Sequence, residues 1–214
     1  MNTTYRFIVL EGIDGSGTTT QLECLAQRLR ADGNEVVTTS EPTPGPVGRL
    51  LRQALEGRLS PEVDGCASFD WVTLALLFAA DRANHSQSLI VPTLAQGKVL
   101  LCDRYDLSSR IYQSVTAADP DAALPWLCIL NERVPRPDLT LVLDIEPGLA
   151  EQRRSKRGAP PELFEWNQLQ SKLARAYCEA EKYVPNDRLK HVPGGLSISE
   201  VTEGLYAACQ SRME

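Results

Sequence analysis

Residues 7–21 of the chain read FIVLEGIDGSGTTTQ, and this stretch decides the fold. The run from Phe7 to Leu10 is short and continuously apolar, which is typical of a parallel strand buried on both faces. A glycine-rich segment, Gly12–Thr19, comes next, and apolar residues then recur at helical spacing from Leu22 to Leu29. The order of strand, glycine-rich loop and helix predicts a phosphate-binding loop at the carboxyl end of a buried strand.

The segment Gly12–Thr19 has the spacing G-x-x-x-x-G-K-[ST] with one departure, because Thr18 stands where the motif has lysine. Its glycines let backbone N–H groups converge on phosphate oxygens, and the helix N-terminus adds partial positive charge. The Thr19 hydroxyl is placed to bind Mg²⁺. A dinucleotide-binding loop would need G-x-G-x-x-G, which this spacing does not provide. We expect ATP to be bound by Gly12, Asp14, Gly15, Ser16, Gly17, Thr18, Thr19 and Thr20.

Strand-like and helical segments continue to alternate beyond this loop. Four more apolar runs predict strands at Val36–Thr39, Val99–Cys102, Leu139–Leu143 and His191–Val192, with helical patterns between them. This alternation predicts an α/β fold in three layers, with about five parallel strands flanked by helices. The length of 214 residues fits a single domain over residues 1–214.

The composition argues against several kinds of partner and location, namely polymeric nucleic acid, membranes, secretion and zinc. The chain has 22 Lys and Arg against 28 Asp and Glu, a net charge of −6, which argues against binding polymeric nucleic acid. No apolar run approaches the roughly 18 residues of a membrane span. The apolar stretch near the N-terminus is too short for a secretory signal, so we expect a cytoplasmic location and no membrane contact. Six scattered cysteines without a C-x-x-C pair, and only two histidines, give no zinc pattern.

Five segments occur in the order and at the intervals found in thymidylate kinases. They are FIVLEGIDGSGTTTQ, TSEPTPGPVGRLLR from Thr39, LLFAADR from Leu76, DRYDLSSRIYQ from Asp103 and RPDLTLVLDIEP from Arg136. The chain therefore resembles this family over nearly its whole length. The resemblance implies a P-loop nucleoside monophosphate kinase fold with a short lid. It also implies transfer of the ATP γ-phosphoryl group to dTMP with Mg²⁺, and a homodimer.

A helix face and the segment after it are candidates for reading the base. Phe78 and Arg82 are four residues apart, so they project from one face of the predicted helix. An aromatic ring can stack on a base, and a guanidinium can donate to a carbonyl oxygen. The pattern LLFAADR alone would favour a packed ring and a solvated charge. The resemblance implies instead that both residues hold thymine, that Ser109 and Gln113 hydrogen-bond the base, and that Tyr112 crowds the 2′ position and favours deoxyribose.

The residues expected to bind the acceptor phosphate follow the predicted strands. Ligands of open α/β sheets bind beyond the carboxyl ends of strands, where Asp103 and Arg104 lie. Arg104 can hold the 5′-phosphate with its fork of donors, and Asp103 can lie near Mg²⁺ or orient Arg104. The resemblance assigns Arg52 to the same phosphate and Asp14 to the neighbourhood of the 3′-hydroxyl and Mg²⁺. Ser40 stands where the family usually has arginine, which removes one phosphate contact or one pair between elements.

The segment Ala150–Gly158 carries a local charge of +3 through Arg153, Arg154, Lys156 and Arg157 against Glu151. A solvated helix face is the usual explanation of such a run. The resemblance implies instead a lid, at about residues 150–165, that closes over ATP and delivers arginine. Phosphoryl transfer needs cations where charge spreads over the γ-phosphoryl oxygens. We therefore expect Arg153 and Arg157, with Asp14 and Arg104, to be catalytic, and the two lid arginines to replace the lysine absent at Thr18.

Two alternatives remain open. The first is a kinase of another pyrimidine nucleotide or deoxynucleotide on the same fold. The second is a nucleotide-binding module that has lost catalysis, and Thr18 is its main support. The loop glycines, the pair Asp103–Arg104 and the cationic segment argue against loss of catalysis, because neutral decay would not spare all three together.

Overall fold

The computed structural model describes residues 5–61, 68–156, 163–165 and 167–210. Its five strands form one parallel sheet in the order β2-β3-β1-β4-β5. The predicted three-layer α/β fold and all five predicted strands are therefore confirmed. The strands are β1 Phe7–Gly12, β2 Val36–Ser40, β3 Val99–Asp103, β4 Leu139–Asp144 and β5 Leu189–Pro193.

Helices cover both faces of the sheet, and none that the described ranges contain is long and apolar enough to cross a membrane. The sequence pattern predicts one helix from Phe69 to about His85 and another to about Gln96, and a π-helical turn, Ser86–Ile90, joins α3 to α4 between them. The helices are α1 Thr18–Ala31, α2 Pro46–Leu55, α3 Trp71–His85, α4 Val91–Ala95, α5 Asp106–Thr116, α6 Pro120–Leu130, α7 Pro147–Lys156, α8 Asn167–Cys178 and α9 Ile198–Gln210.

The sequence pattern from Leu163 to Ala180 predicts one helix, but α8 begins only at Asn167. Phe164 lies in a turn, where its ring meets the Tyr112 ring edge-on at 5.3 Å between centroids. The Phe164 carbonyl accepts a hydrogen bond from the Gln170 side chain rather than continuing a helix. Burial of the Phe164 ring and the hydrogen bond from Gln170 therefore stabilise a turn where the local sequence pattern favours a helix.

Alternation along β1 explains why the helices lie on both faces of the sheet. Ile8 and Leu10 pack in the cluster formed with α1 and α9, whereas Phe7 and Val9 pack with Ile90 and neighbouring residues on the opposite face. Successive strand residues point to opposite faces, so a continuous apolar run is stable only between two helical layers.

The strand order decides which segments meet at the functional edge. β1 lies between β3 and β4, so the loop after β1 has neighbours on both sides. Arg104 follows β3 on one side, and α7 follows β4 on the other. The phosphate-binding loop is therefore flanked by two arginine-bearing segments that are far from it in sequence.

Candidate active site

A cavity of about 860 Å³ opens at the carboxyl ends of the strands. Its lining includes nearly all the residues singled out in the sequence. Gly12 instead underlies the loop and contributes its backbone, and Arg157 lies outside the described residues. The predicted residues that line the cavity are Asp14, Gly15, Ser16, Gly17, Thr18, Thr19, Thr20, Arg52, Phe78, Arg82, Asp103, Arg104, Ser109, Tyr112, Gln113 and Arg153.

The phosphate-binding loop turns through left-handed backbone conformations. Gly15 has φ 89° and Gly17 has φ 96°, values that a residue with a Cβ rarely adopts. Gly17 immediately precedes α1, which begins at Thr18. The free N–H groups of the first helical turn therefore lie at the cavity, where they attract anions. Thr18 itself is buried and offers the cavity a hydroxyl in place of a lysine ammonium.

A hydroxyl and a carboxylate meet beside this helix terminus. Thr19 donates from Oγ1 to Asp103 Oδ2 at 2.5 Å. The other oxygen, Asp103 Oδ1, is buried and has no hydrogen-bond partner within the described part of the chain. An unpartnered buried carboxylate oxygen is costly, so Asp103 Oδ1 is available to a cation or to a hydrogen-bond donor. Oxygen ligands of this kind suit Mg²⁺, which is commonly bound by one or two carboxylates together with substrate phosphates.

Arg104 adopts a backbone conformation that is unusual for a residue other than glycine, with φ 67°. Its N–H is held by the Leu10 carbonyl at 2.8 Å. Its guanidinium donates to the Gly12 carbonyl at 2.7 Å and to Asp14 Oδ1 at 2.6 Å. Such strain persists only where the surrounding structure enforces it, and it clusters at functional sites. The backbone at the end of β3 therefore places the Arg104 guanidinium beneath the phosphate-binding loop.

Asp14 has two further donors, of which the sequence indicated only one as a site residue. Tyr112 donates from its hydroxyl to Asp14 Oδ2 at 3.0 Å, and Gln170 donates from Nε2 to the same oxygen at 2.9 Å. Gln170 also reaches the Phe164 carbonyl at 2.7 Å, so it links the turn before α8 to the loop. Nothing in its sequence context distinguishes Gln170 from a polar surface residue.

The predicted base-reading residues lie together, but Arg82 is fully buried. Arg82 donates to Glu41 at 2.9 Å, to Asn131 at 2.6 Å and to Ser109 at 2.9 Å. These bonds use most of its five donors, so its orientation is fixed by the protein. Phe78 is half-buried and presents its ring to the same cavity.

Gln113 is the least satisfied polar side chain at this end of the cavity. It is 0% exposed, and within the described ranges neither Oε1 nor Nε2 has a hydrogen-bond partner. Each unmet buried donor or acceptor costs about 1–3 kcal/mol. An amide left free beside a cavity can donate to one carbonyl and accept from one N–H of a ligand.

Arg52 and Ser40 line the rim nearest β2. Arg52 is exposed, and its guanidinium approaches the Pro42 carbonyl at 3.5 Å, a long contact that leaves it largely free to bind an anion. Ser40 ends β2 and contributes no charge where the family usually has arginine. The described part of the rim therefore contributes one arginine where the usual family pattern has two.

Helix α7 rests directly on the phosphate-binding loop. Arg153 donates from Nη1 to the Ser16 carbonyl at 3.1 Å, and Arg154 donates from Nη1 to the Asp14 carbonyl. A Cβ on Gly15 would lie 2.4 Å from the Ala150 carbonyl oxygen. An arginine at position 15 would therefore collide with α7 in this arrangement, and the adjacent cation comes from Arg153 instead.

Glu11 lies buried beneath the loop and was not singled out from the sequence. It accepts hydrogen bonds from the backbone N–H of Tyr105 at 2.9 Å, from the Ser108 hydroxyl at 2.6 Å and from the Tyr177 hydroxyl at 3.0 Å. Burial raises the pKa of its carboxyl to about 7, although the Arg104 cation and these hydrogen bonds oppose the rise. A glutamate at the end of an otherwise apolar strand is the only signal for it in the sequence.

The raised pKa predicts that the free energy of unfolding falls as pH rises. The folded state keeps its Glu11 proton up to about pH 7, whereas the ordinary pKa is 4.5. Stability is therefore fully present below about pH 4.5 and is lost through pH 7, by about 3 kcal/mol for a shift of this size. Glu11→Gln removes the titration, so chemical denaturation should show the variant gaining stability relative to wild type between pH 5 and 8.

The control for this prediction is Glu35→Gln, because the Glu35 side chain is largely exposed. Its unfolding free energy should follow the wild type at each pH. Parallel curves for wild type and Glu11→Gln would contradict the assignment of the titration to Glu11.

Comparisons with known proteins agree with this geometry. A sequence model of the family described as Thymidylate kinase matches residues 10–204. The chain is 40% identical to a probable thymidylate kinase of Pyrococcus horikoshii over 183 residues, which cover 86% of each protein. It is 38% identical to a probable thymidylate kinase of Pyrococcus abyssi over 94% of each protein. It is 39% identical to a thymidylate kinase of Xylella fastidiosa over 85% of this chain and 80% of that protein.

Proposed function

This chain belongs to the thymidylate kinase family, and on that premise we infer that it transfers the γ-phosphoryl group of ATP to dTMP, giving ADP and dTDP. The observation that carries the acceptor assignment is the buried amide of Gln113, which has no hydrogen-bond partner among the described residues and shares the cavity with the Phe78 ring. Thymine presents carbonyl oxygens and one imide N–H along a single edge. A carboxamide can match that edge with one donor and one acceptor, while the ring stacks on the base.

The phosphate groups are handled by charges on the chain itself. The loop Asp14–Thr20 and the start of α1 cradle the phosphates of ATP with backbone N–H groups. Arg52 and Arg104 hold the acceptor phosphate, and Arg153 stabilises the negative charge that develops during transfer. Asp14 lies where it can orient the acceptor sugar, and Tyr112 beside it limits the space at the 2′ position. Transfer then requires alignment of donor and acceptor more than covalent help from the protein.

Mg²⁺ fits the pair formed by Thr19 and Asp103, because a hydroxyl and an unpartnered carboxylate oxygen meet there. When bound, the ion supplies neutralising positive charge at the donor phosphates.

The acceptor assignment is tested with a panel of monophosphates in a coupled assay of ADP release. We expect dTMP to have the highest kcat/KM, with dUMP next, and dCMP, dGMP and dAMP behind. The thymine methyl group should add only about 1–3 kcal/mol of preference over dUMP. Ribonucleotide UMP serves as the control for the 2′ position. Equal turnover of dGMP or dAMP would contradict the pyrimidine assignment, and highest activity with dCMP would favour another pyrimidine kinase.

The proposal includes a homodimer with one domain per chain and action in the cytoplasm, where ATP and dTMP are available. It also includes a lid at about residues 150–165, of which residues 157–162 lie outside the described residues. Leu50, Leu76 and Ile129 are exposed apolar side chains on α2, α3 and α6, and α3 packs against both other helices. A second copy would remove this apolar surface from water. Sedimentation velocity measures the mass, and a monomer at micromolar concentration would exclude the dimer.

A further inference from the structure

We propose that Arg154 is a positioning residue, which fixes α7 on the phosphate-binding loop and thereby holds Arg153 in the nucleotide cavity. The inference rests on the proposed function, because Arg153 needs a phosphate group to act on. It separates two adjacent arginines that the sequence presents as equivalent members of one cationic run.

The two arginines differ in their access to the cavity. Arg153 is half-buried and lines the cavity, so its guanidinium can reach a bound phosphate. Arg154 is only 8% exposed and is absent from the described residues that line the cavity. Adjacent helical residues project about 100° apart, so one helix can present one arginine to the ligand and the other to the protein.

One partner of Arg154 is a backbone atom of the phosphate-binding loop. Its Nη1 donates to the Asp14 carbonyl, and the Arg153 bond goes to the Ser16 carbonyl. The two arginines therefore donate hydrogen bonds to the carbonyls of the residues on either side of Gly15. A hydrogen bond from a charged donor is stronger than one between neutral groups, and a bond to the backbone restrains the path of the loop itself.

The absence of a side chain at Gly15 makes this close contact between α7 and the loop possible. A Cβ at this position would lie 2.4 Å from the Ala150 carbonyl oxygen and 3.0 Å from Arg154 Cγ. The backbone of α7 and the stem of Arg154 therefore pass directly over the glycine. Because α7 packs this closely on Gly15, its position relative to the loop is tightly restricted. The Arg154 hydrogen bond to the Asp14 carbonyl holds α7 in that position.

The first experiment compares Arg154→Met with Arg154→Lys, using Lys156→Met as the control at an exposed position of the same helix. A displacement of about 1 Å can cost on the order of 10²-fold in rate, so we expect Arg154→Met to lower kcat at least tenfold. The KM for dTMP should stay within about twofold, because Arg154 donates to the Asp14 backbone carbonyl, whereas the Asp14 carboxylate keeps its bonds from Arg104 and Tyr112. Lysine should restore part of kcat, and Lys156→Met should match wild type.

The second experiment separates positioning from a general loss of stability. If Arg154 acts through Arg153, the double variant Arg153→Ala, Arg154→Met should have a kcat within about threefold of that of Arg153→Ala alone. The reason is that the effects of residues that act as a unit are not additive. The Kd of ATP–Mg, measured by titration without dTMP, should follow the same non-additive pattern. If Arg154→Met does not fold, Arg154→Lys supports the same cycle.

Independent, multiplicative effects in the double variant would overturn the inference. So would a kcat of Arg154→Met within twofold of wild type, or a loss that appears only as a lower unfolding temperature. Failure of the proposed function has a different signature, which is a wild-type protein without dTMP-dependent ADP release. In that case the role of Arg154 is still decided by the Kd of ATP–Mg, compared among wild type, the two single variants and the double variant.

Discussion

Arg153→Ala should lower kcat on the order of 10³-fold while dTMP still binds. Supplied arginines of this kind contribute about 10³–10⁵-fold to phosphoryl transfer, and the loop here has Thr18 in place of its own lysine. Arg153 is the α7 arginine that both contacts the loop, at the Ser16 carbonyl, and lines the cavity. The measurement is steady-state ADP release, with the KM for dTMP and the Kd of ATP–Mg determined alongside.

Lys156→Ala is the matched control, because it removes one positive charge from an exposed position of the same helix. Its kcat should remain within about twofold of wild type if position, rather than net charge, matters. Thr18→Lys should be tolerated and should restore part of the activity of Arg153→Ala, since both cations would stabilise the same charge. A loss of only a few-fold in Arg153→Ala would exclude Arg153 as the main replacement for the lysine.

Arg104→Ala should reduce kcat/KM for dTMP through a higher KM and a lower kcat. Arg104 and Asp14 form a part-buried pair, and a hydrogen bond to a charged group contributes about 1.5–3 kcal/mol, which corresponds to roughly 10-fold to 150-fold. The loss has two origins, because Arg104 binds the acceptor phosphate and also holds Asp14 at 2.6 Å. The KM for ATP should change much less, since the donor phosphates are held mainly by the loop and α1.

Arg104→Lys should recover only part of this loss, because an ammonium lacks the planar fork that reaches Gly12 and Asp14 together. Arg133→Ala is the control, since that side chain is exposed on the surface. Normal dTMP kinetics in Arg104→Ala would remove Arg104 from the acceptor site.

The sequence predicted those features that depend on local pattern. The apolar run Phe7–Leu10 and the glycine spacing after it are properties of consecutive residues, and they predicted the strand, the loop and the helix correctly. The five strands followed from the same short-range signals. Residues after strands, such as Asp103 and Arg104, could be placed at the cavity because carboxyl ends of parallel strands share one edge.

Features that depend on which distant segments meet could not be predicted. Because β4 pairs with β1, α7 lies against Gly15, and this contact assigns different positions to Arg153 and Arg154. Gln170 bonds Asp14, and Glu11 accepts from Tyr105, and in both pairs the two residues are more than 90 positions apart. The turn at Phe164 likewise depends on a ring contact with Tyr112, which no helical periodicity indicates.

We infer that a phosphate loop with threonine in place of lysine still supports phosphoryl transfer to dTMP. The most direct test incubates the unaltered chain with ATP–Mg and dTMP and quantifies dTDP, with binding of each nucleotide measured by titration. We predict dTDP formation with a kcat on the order of 1–100 s⁻¹, as is typical of kinases. Binding of ATP and dTMP without any dTDP would contradict the account and identify a nucleotide-binding module that has lost catalysis.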